Sequence, residues 1–300
     1  VIFSEPVKGI SKSQFDIKNS INISDVSVKS AQEITDTVIL YLSNSTKLSD
    51  NEYKLYVRSG VKDAAGLNSV IVGSGSTSNY FEFAGTSAAN EAPFIETDIT
   101  ALDTYTLQFA FNEPIKSVST SSFSIRRVSG SGSASFIIAN AILSDDKKTV
   151  TLYLNSRYTA LDSDHEYELT INSSVADMQN LTVESENRKL QFSGADNDPE
   201  ELAVAASYIN EDNDRITLMF TRELDIDSLA VSDFEFSGAG YYKSSNDKVS
   251  FDEKSVTISL ANELDNDEVL TIKITSGGRS KIKDLNGQKL ITEELEIDTN

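Results

Sequence analysis

A short cassette occurs three times along this chain and sets the scale of anything it can fold into. The copies are Phe3-Ser4-Glu5-Pro6-Val7, Phe111-Asn112-Glu113-Pro114-Ile115 and the blurred Phe220-Thr221-Arg222-Glu223-Leu224. Each follows or begins an alternating apolar stretch, which is the pattern of a strand. In the first two the proline ends that strand, because it offers no N–H to a ladder. An echo comes a few residues later, around Phe15, Phe123 and Phe234. From Phe15 to Phe123 is 108 residues, and from Phe123 to Phe234 is 111. A repeat near that length is the size of one all-β domain. The chain therefore reads as three domains, at 1–88, 91–196 and 200–300.

Repeat two shows the pattern most completely. Tyr105, Leu107, Phe109 and Phe111 share one face of a strand, as do Val150, Leu152 and Leu154, and Glu166 to Ile171 alternates again. Gly130-Ser131-Gly132-Ser133 is a loop signal. Repeat one matches with Val38 to Leu42, Glu52 to Val57 and Tyr80 to Gly85, and repeat three with Val256 to Leu260, Val269 to Ile274 and Leu290 to Ile297. No helical periodicity extends beyond about two turns, with Ser228 to Phe234 the best candidate for a short helical turn. Half-buried strands must cover each other's apolar faces, so the expected fold class is all-β, built of sandwiches. The chain opens on Val1 inside a repeat and reads as a fragment or processed product, with repeat one lacking most of its opening strand.

Composition narrows the function classes. The net charge of −21 disfavours nucleic acid and anionic membrane surfaces as partners and suits solubility or the attraction of divalent cations. The absence of cysteine excludes disulfides, thiolate chemistry and cysteine-type zinc sites. No apolar run approaches the length of a membrane-spanning helix, so no membrane insertion is expected. The single histidine, His165, sits among acids at Asp162-Ser163-Asp164-His165-Glu166 and has no second histidine or cysteine to complete a metal site. No nucleophile elbow, Walker loop or dinucleotide fingerprint appears, so the chain is expected not to be an enzyme.

One loop recurs with the cassette: Val61-Lys62-Asp63-Ala64-Ala65-Gly66 in repeat one and Ile282-Lys283-Asp284-Leu285-Asn286-Gly287 in repeat three. Repeat two has Ala176-Asp177-Met178-Gln179-Asn180, with asparagine at the glycine position. Asp bonds its own backbone and Gly accepts positive φ, so the pattern is that of a tight turn between strands. A strand followed by this turn, joined to the cassette, resembles the tandem bacterial Ig-like domains of surface-layer (S-layer) proteins. The resemblance implies three tandem Ig-like β-sandwich domains in an extended array. It implies a secreted structural protein at the bacterial cell surface, in the S-layer or cell wall. Its partners would be copies of itself in a lattice and further Ig-like domains of the same chain. Spacer or adhesive repeats of another surface protein or secreted enzyme are the alternative.

The densest acidic stretch, Ala195 to Glu201, falls where repeats two and three join. Calcium takes six to eight oxygen ligands, commonly from acid-rich loops. Asp196, Asn197, Asp198 and Glu200, with Asp177 and Asp212 approaching from either side, are the candidate calcium ligands that would stiffen this hinge. The Ala84 to Glu91 link is poor in acids and should flex unless the domains touch. Tyr241-Tyr242, after Gly238-Ala239-Gly240, is a candidate contact patch.

Overall fold

A computed structural model describes residues 1–300 except 22–24, 35, 44–47, 59, 64, 68–79, 130–133, 135 and 300. The loop signal at Gly130 to Ser133 and Ala64 of the first turn lie outside the described residues. The fold is all-β and arranged as sandwiches. In domain two a four-stranded sheet runs in the order Ile138–Leu143, Thr149–Leu154, Thr106–Ala110, Thr100–Asp103. It faces a three-stranded sheet ordered Phe123–Arg127, Glu166–Ile171, Lys189–Ser193. Domain three repeats this with Val204–Ile209, Arg215–Phe220, Ser255–Ser259 and Lys248–Asp252 against Phe234–Gly238, Val269–Ile274 and Glu294–Asp298. All these pairings are antiparallel.

Alternation along each strand becomes alternation of burial. Val150, Leu152 and Leu154 are buried, while Thr149, Thr151 and Tyr153 are only half-buried. The inward residues of both sheets merge into one core in each domain. That core is centred on Phe109, Leu152 and Leu169 in domain two, on Leu218, Ile258 and Ile272 in domain three, and on Phe15, Val38 and Leu55 in domain one. In domain one, Phe15–Asn19, Glu52–Val57 and Tyr80–Ala84 form a sheet with the short strand Asp25–Val26. Opposite it, Val28–Ile34 pairs with Thr37–Leu42, and Ile2 bridges to Thr37.

The echo motif is a one-turn 3₁₀ helix feeding a strand. These turns are Lys12–Gln14, Thr120–Ser122 and Val231–Asp233, each followed immediately by the strand that starts on its phenylalanine. Each is closed by a side chain reaching back. Ser11 N donates to Gln14 Oε1 at 2.7 Å, Ser119 N to Ser122 Oγ at 3.1 Å and Ala230 N to Asp233 Oδ2 at 2.9 Å. The third turn falls within the Ser228 to Phe234 segment expected to turn. One α-helix, Ser276–Lys281, has no counterpart in the sequence expectation. Two of its six residues are glycines, which disfavour helix and hide it from a propensity argument. Thr275 caps it, accepting from Gly278 N at 3.0 Å, and a Cβ on Gly278 would lie 2.5 Å from the Asp233 carbonyl oxygen.

The cassette and the recurring aspartate turn pair with each other in every domain. The residue after each cassette's fourth position is register partner to the turn's aspartate: Val7 with Asp63, Ile115 with Asp177, Leu224 with Asp284. The turns share one geometry. Asp177 Oδ1 accepts from Gln179 N at 2.9 Å and Leu181 N at 2.6 Å. Asp284 Oδ1 accepts from Asn286 N at 3.0 Å and Gln288 N at 2.7 Å. Gly66, Asn180 and Gly287 have φ of +88°, +70° and +78°. Asparagine holds the left-handed position in the second turn because it tolerates that region better than other side chains. A Cβ on Gly287 would meet nothing within 4 Å. Gly287→Ala should therefore cost about 1–2 kcal/mol through backbone strain alone. Urea unfolding followed by circular dichroism measures this, and an unchanged midpoint would contradict it.

Candidate functional site at the interdomain joints

The aspartate turn sits at the end of each later domain that abuts the domain before it. Between domains two and three the contact is specific. Asn286, fully buried, donates through Nδ2 to the Tyr105 carbonyl at 2.8 Å and to the Leu154 carbonyl at 3.0 Å. Its own carbonyl accepts from Ser156 N at 3.1 Å, and Asn140 Nδ2 donates to the Leu285 carbonyl at 2.8 Å. The turn of domain three thus inserts into the strand ends of domain two, and the polar backbone groups it covers are satisfied. Behind it, Arg222 bonds Asp284 and Asn286 through its guanidinium. Arg222 occupies the third cassette position, and Asp284 is 1% exposed. Burial pushes the Asp284 carboxyl upward, and the Arg222 charge pulls it back down. Around this pair remains a cavity of about 250 Å³, lined in part by Asp103, Tyr153, Glu223 and Lys254.

Between domains one and two the same elements meet with different chemistry. Glu113 fills the third cassette position and faces Asp177 where domain three has arginine facing aspartate. Tyr41, fifth residue of Thr37–Leu42, takes the place that Tyr153 holds in Thr149–Leu154. Its hydroxyl is pushed up to about 12 by burial and by the charges of Glu113 and Asp177. Burial, then Asp177, raise the Glu113 carboxyl to about 7, against the opposing pull of Lys148 and with a small further push from Glu91. Glu113 Oε1 is buried without a hydrogen-bond partner. Asn90 Nδ2 donates to Asp177 Oδ2 at 2.5 Å. The cleft here is larger, about 670 Å³, and is lined by Leu42, Ser43, Leu48, residues 86–90 and Gln179 to Leu181. The link expected to flex is tied down: Ser87 bonds the Asp50 carboxylate through N and Oγ at 2.9 and 2.7 Å, and Gly85 N donates to Asn51 O at 2.8 Å.

The six residues expected to converge at the second hinge separate into three places. Asp196, Asn197 and Asp198 lie on the pole of domain two that faces domain three. There Asp196 accepts from Ser163, Asn197 Nδ2 donates to Leu102 O at 2.9 Å, and Asp198 accepts from Thr104 Oγ1 at 2.9 Å. They fasten the linker to its own domain. Glu200 is exposed beside them. Asp177 stands at the opposite pole of domain two, its carboxylate committed to the turn and to Asn90, and so it leaves the hinge set. Asp212 lies in the exposed turn that precedes Arg215–Phe220. That six-residue strand carries the chain roughly 20 Å back to Arg222 at the joint, so Asp212 is at the far pole of domain three. Among the described residues no three acids or histidines converge as a metal-holding group, so the set does not fit a calcium cage of six to eight oxygens. His165 is half-buried, its ring stacked on Tyr167 at 6.5 Å. Tyr241 packs on Phe236 at 4.7 Å and donates to Asp247, which makes it a core residue, while Tyr242 is exposed.

The sequence matches the family described as bacterial Ig-like domain over residues 86–194 and 197–297. No curated protein matches the chain. Among solved structures, the N-terminal part of the bacterial S-layer protein SbsC is similar at 13% identity with a TM-score of 0.33, over 69% of this chain and 44% of that one. A surface layer SbsC structure of domains 1–6 is similar at 10% identity with a TM-score of 0.24, over 100% of this chain and 52% of that one. The Bacteroides ovatus mixed-linkage glucan utilization locus protein SGBP-B, in complex with mixed-linkage heptasaccharide, is similar at 11% identity with a TM-score of 0.24, over 100% of this chain and 64% of that one. The chain spans about half the length of the S-layer structures it matches. With two tandem matches over more than half of its length, and the same sandwich built in each, the chain belongs to the bacterial Ig-like domain family.

Proposed function

We propose that this chain is a structural segment of a bacterial surface layer. Its Ig-like domains, locked in series, form a rod that assembles with copies of itself into a lattice outside the cell. The observation that carries this reading is the joint. The same cassette and aspartate turn face the preceding domain at both junctions, so orientation between domains is specified by residues and not left to a slack linker. A rod with defined joints can repeat weak lateral contacts across an array, where several together hold what one cannot. Catalysis has no part in this reading.

Calcium enters it through the net charge of −21 and not through a caged site. Divalent cations would relieve repulsion between rods brought side by side. Negative-stain microscopy of the purified chain tests the proposal. Sheets or tubes that appear with millimolar calcium and disperse with EGTA are expected. A monodisperse rod under both conditions would overturn the lattice.

A second reading, spacer or adhesive repeats of another surface protein, is favoured by Tyr158, Tyr208 and Tyr242. These rings stand exposed on domains two and three and offer stacking faces. Binding to a glycan array without any self-assembly would select it.

A further inference from the structure

We propose that the joint between domains one and two is a protonation-gated hinge, docked when Glu113 carries a proton and loosened when Glu113 is ionised. The inference starts from the difference between two joints built on one plan. At the second, Arg222 and Asp284 are opposite charges held together in a buried site. At the first, Glu113 and Asp177 hold the same two positions as two carboxylates, with one buried glutamate oxygen left unpartnered. Two like charges in a half-buried site cannot both be ionised without cost.

The other groups facing Glu113 do not remove that cost. Just past its own cassette, Lys116 is engaged with Asn180 Oδ1 at 3.4 Å. From the adjacent turn Lys148 pulls the carboxyl down, but its ammonium is held by the Asn112 carbonyl at 2.9 Å. From the link, Glu91 adds a further negative charge. From domain one, Tyr41 brings a phenol that stays neutral through this range. Together these leave Glu113 raised to about 7 while the joint is docked. Undocked, the side chain returns to water, the largest cause of the rise is relieved, and the carboxyl falls toward its ordinary value of 4.5.

The sign follows from linkage. The docked state holds the proton more tightly, so docking is favoured at low pH. It weakens as pH rises above the ordinary carboxyl range, and its advantage is gone once the docked-state value is passed. Between pH 5 and pH 8 the ratio of open to docked joint should rise by up to about 100-fold. The larger cleft at this joint gives the opened state room that the second joint lacks.

The chain has no cysteine, so single cysteines can be placed on exposed positions of neighbouring domains and spin-labelled. Distance distributions across domains one and two should be narrow at pH 5 and broaden with a midpoint near 7. A pair across domains two and three should stay narrow throughout. Glu113→Gln and Glu113→Arg should each abolish the transition and keep the first joint narrow, the latter by copying the second joint. A wild-type distribution that does not change from pH 5 to 8.5 overturns the proposal without recourse to any variant. So does a transition that survives in Glu113→Gln. Neither outcome depends on whether the chain assembles into a lattice.

Discussion

Arg222→Ala is expected to destabilise domain three by about 3–5 kcal/mol at pH 7, the range for leaving one member of a buried ion pair without its partner. Asp284 would keep its two backbone N–H donors but lose the only cation bonded to it among the described residues, at 1% exposure. Asn286 would lose the guanidinium that orients its side-chain oxygen, and with it part of its grip on the Tyr105 and Leu154 carbonyls. Burial already raises the Asp284 carboxyl and Arg222 restrains it. In the variant that restraint is gone, so the folded-state value climbs further. A raised carboxyl contributes its penalty above its folded value and loses it as pH falls and the group takes up a proton. The destabilisation should therefore be large at pH 7 and smaller at pH 4. Urea unfolding at both, with hydrogen exchange read on domain-three peptides, measures it. A loss below about 1 kcal/mol at pH 7, or the same loss at both pH values, would contradict the role given to the pair.

The second large effect concerns Phe109→Ala, expected to cost domain two about 3–5 kcal/mol. Phe109 is 2% exposed on the four-stranded sheet. Its ring meets Phe123 of the opposite sheet edge-on at 5.5 Å and Phe111 at 5.9 Å, so truncation opens a cavity where the two sheets interlock. The three hydrophobic cores share no residue, and the damage should stay in one of them. The whole chain is then not a two-state system. Scanning calorimetry should show the transition of domain two falling by more than about 10 °C while the others hold. A uniform shift of every transition would mean that the domains melt as one unit and that the joints dominate stability.

Much of the fold is legible in the sequence. Period-2 alternation in Val150-Thr151-Leu152-Tyr153-Leu154 specifies a half-buried strand, because side chains on a pleated ribbon alternate faces. Asp177 to Asn180 could be matched to Asp284 to Gly287 because a left-handed turn position admits few residue types. The helix at Ser276–Lys281 could not be found this way. It exists because Gly278 lets the chain pass against Asp233, a tertiary reason that local propensity does not carry. The glycines before Tyr241 mark a loop and a candidate contact patch, yet its ring packs on Phe236 against the core.

The joints were less legible. Glu113 and Arg222 are visible as a change of charge at the third position of the cassette, with nothing in the sequence to say what either one faces. That was decided by register: Ile115 pairs with Asp177 and Leu224 with Asp284, at sequence separations of 62 and 60. Antiparallel pairing at such separation is set by how the two sheets close over their core, not by the residues near either strand. The same closure put Asp177 and the Asp196 to Asp198 stretch at opposite poles of one domain and Asp212 at the far pole of the next. A composition rich in acids, read along the chain, had placed them together at one hinge. The sequence by itself thus determined the repeat, the strands and the turn chemistry, because each depends on residues a few positions apart. Which charges meet at a joint was decided only by the tertiary structure, because that depends on where whole sheets end.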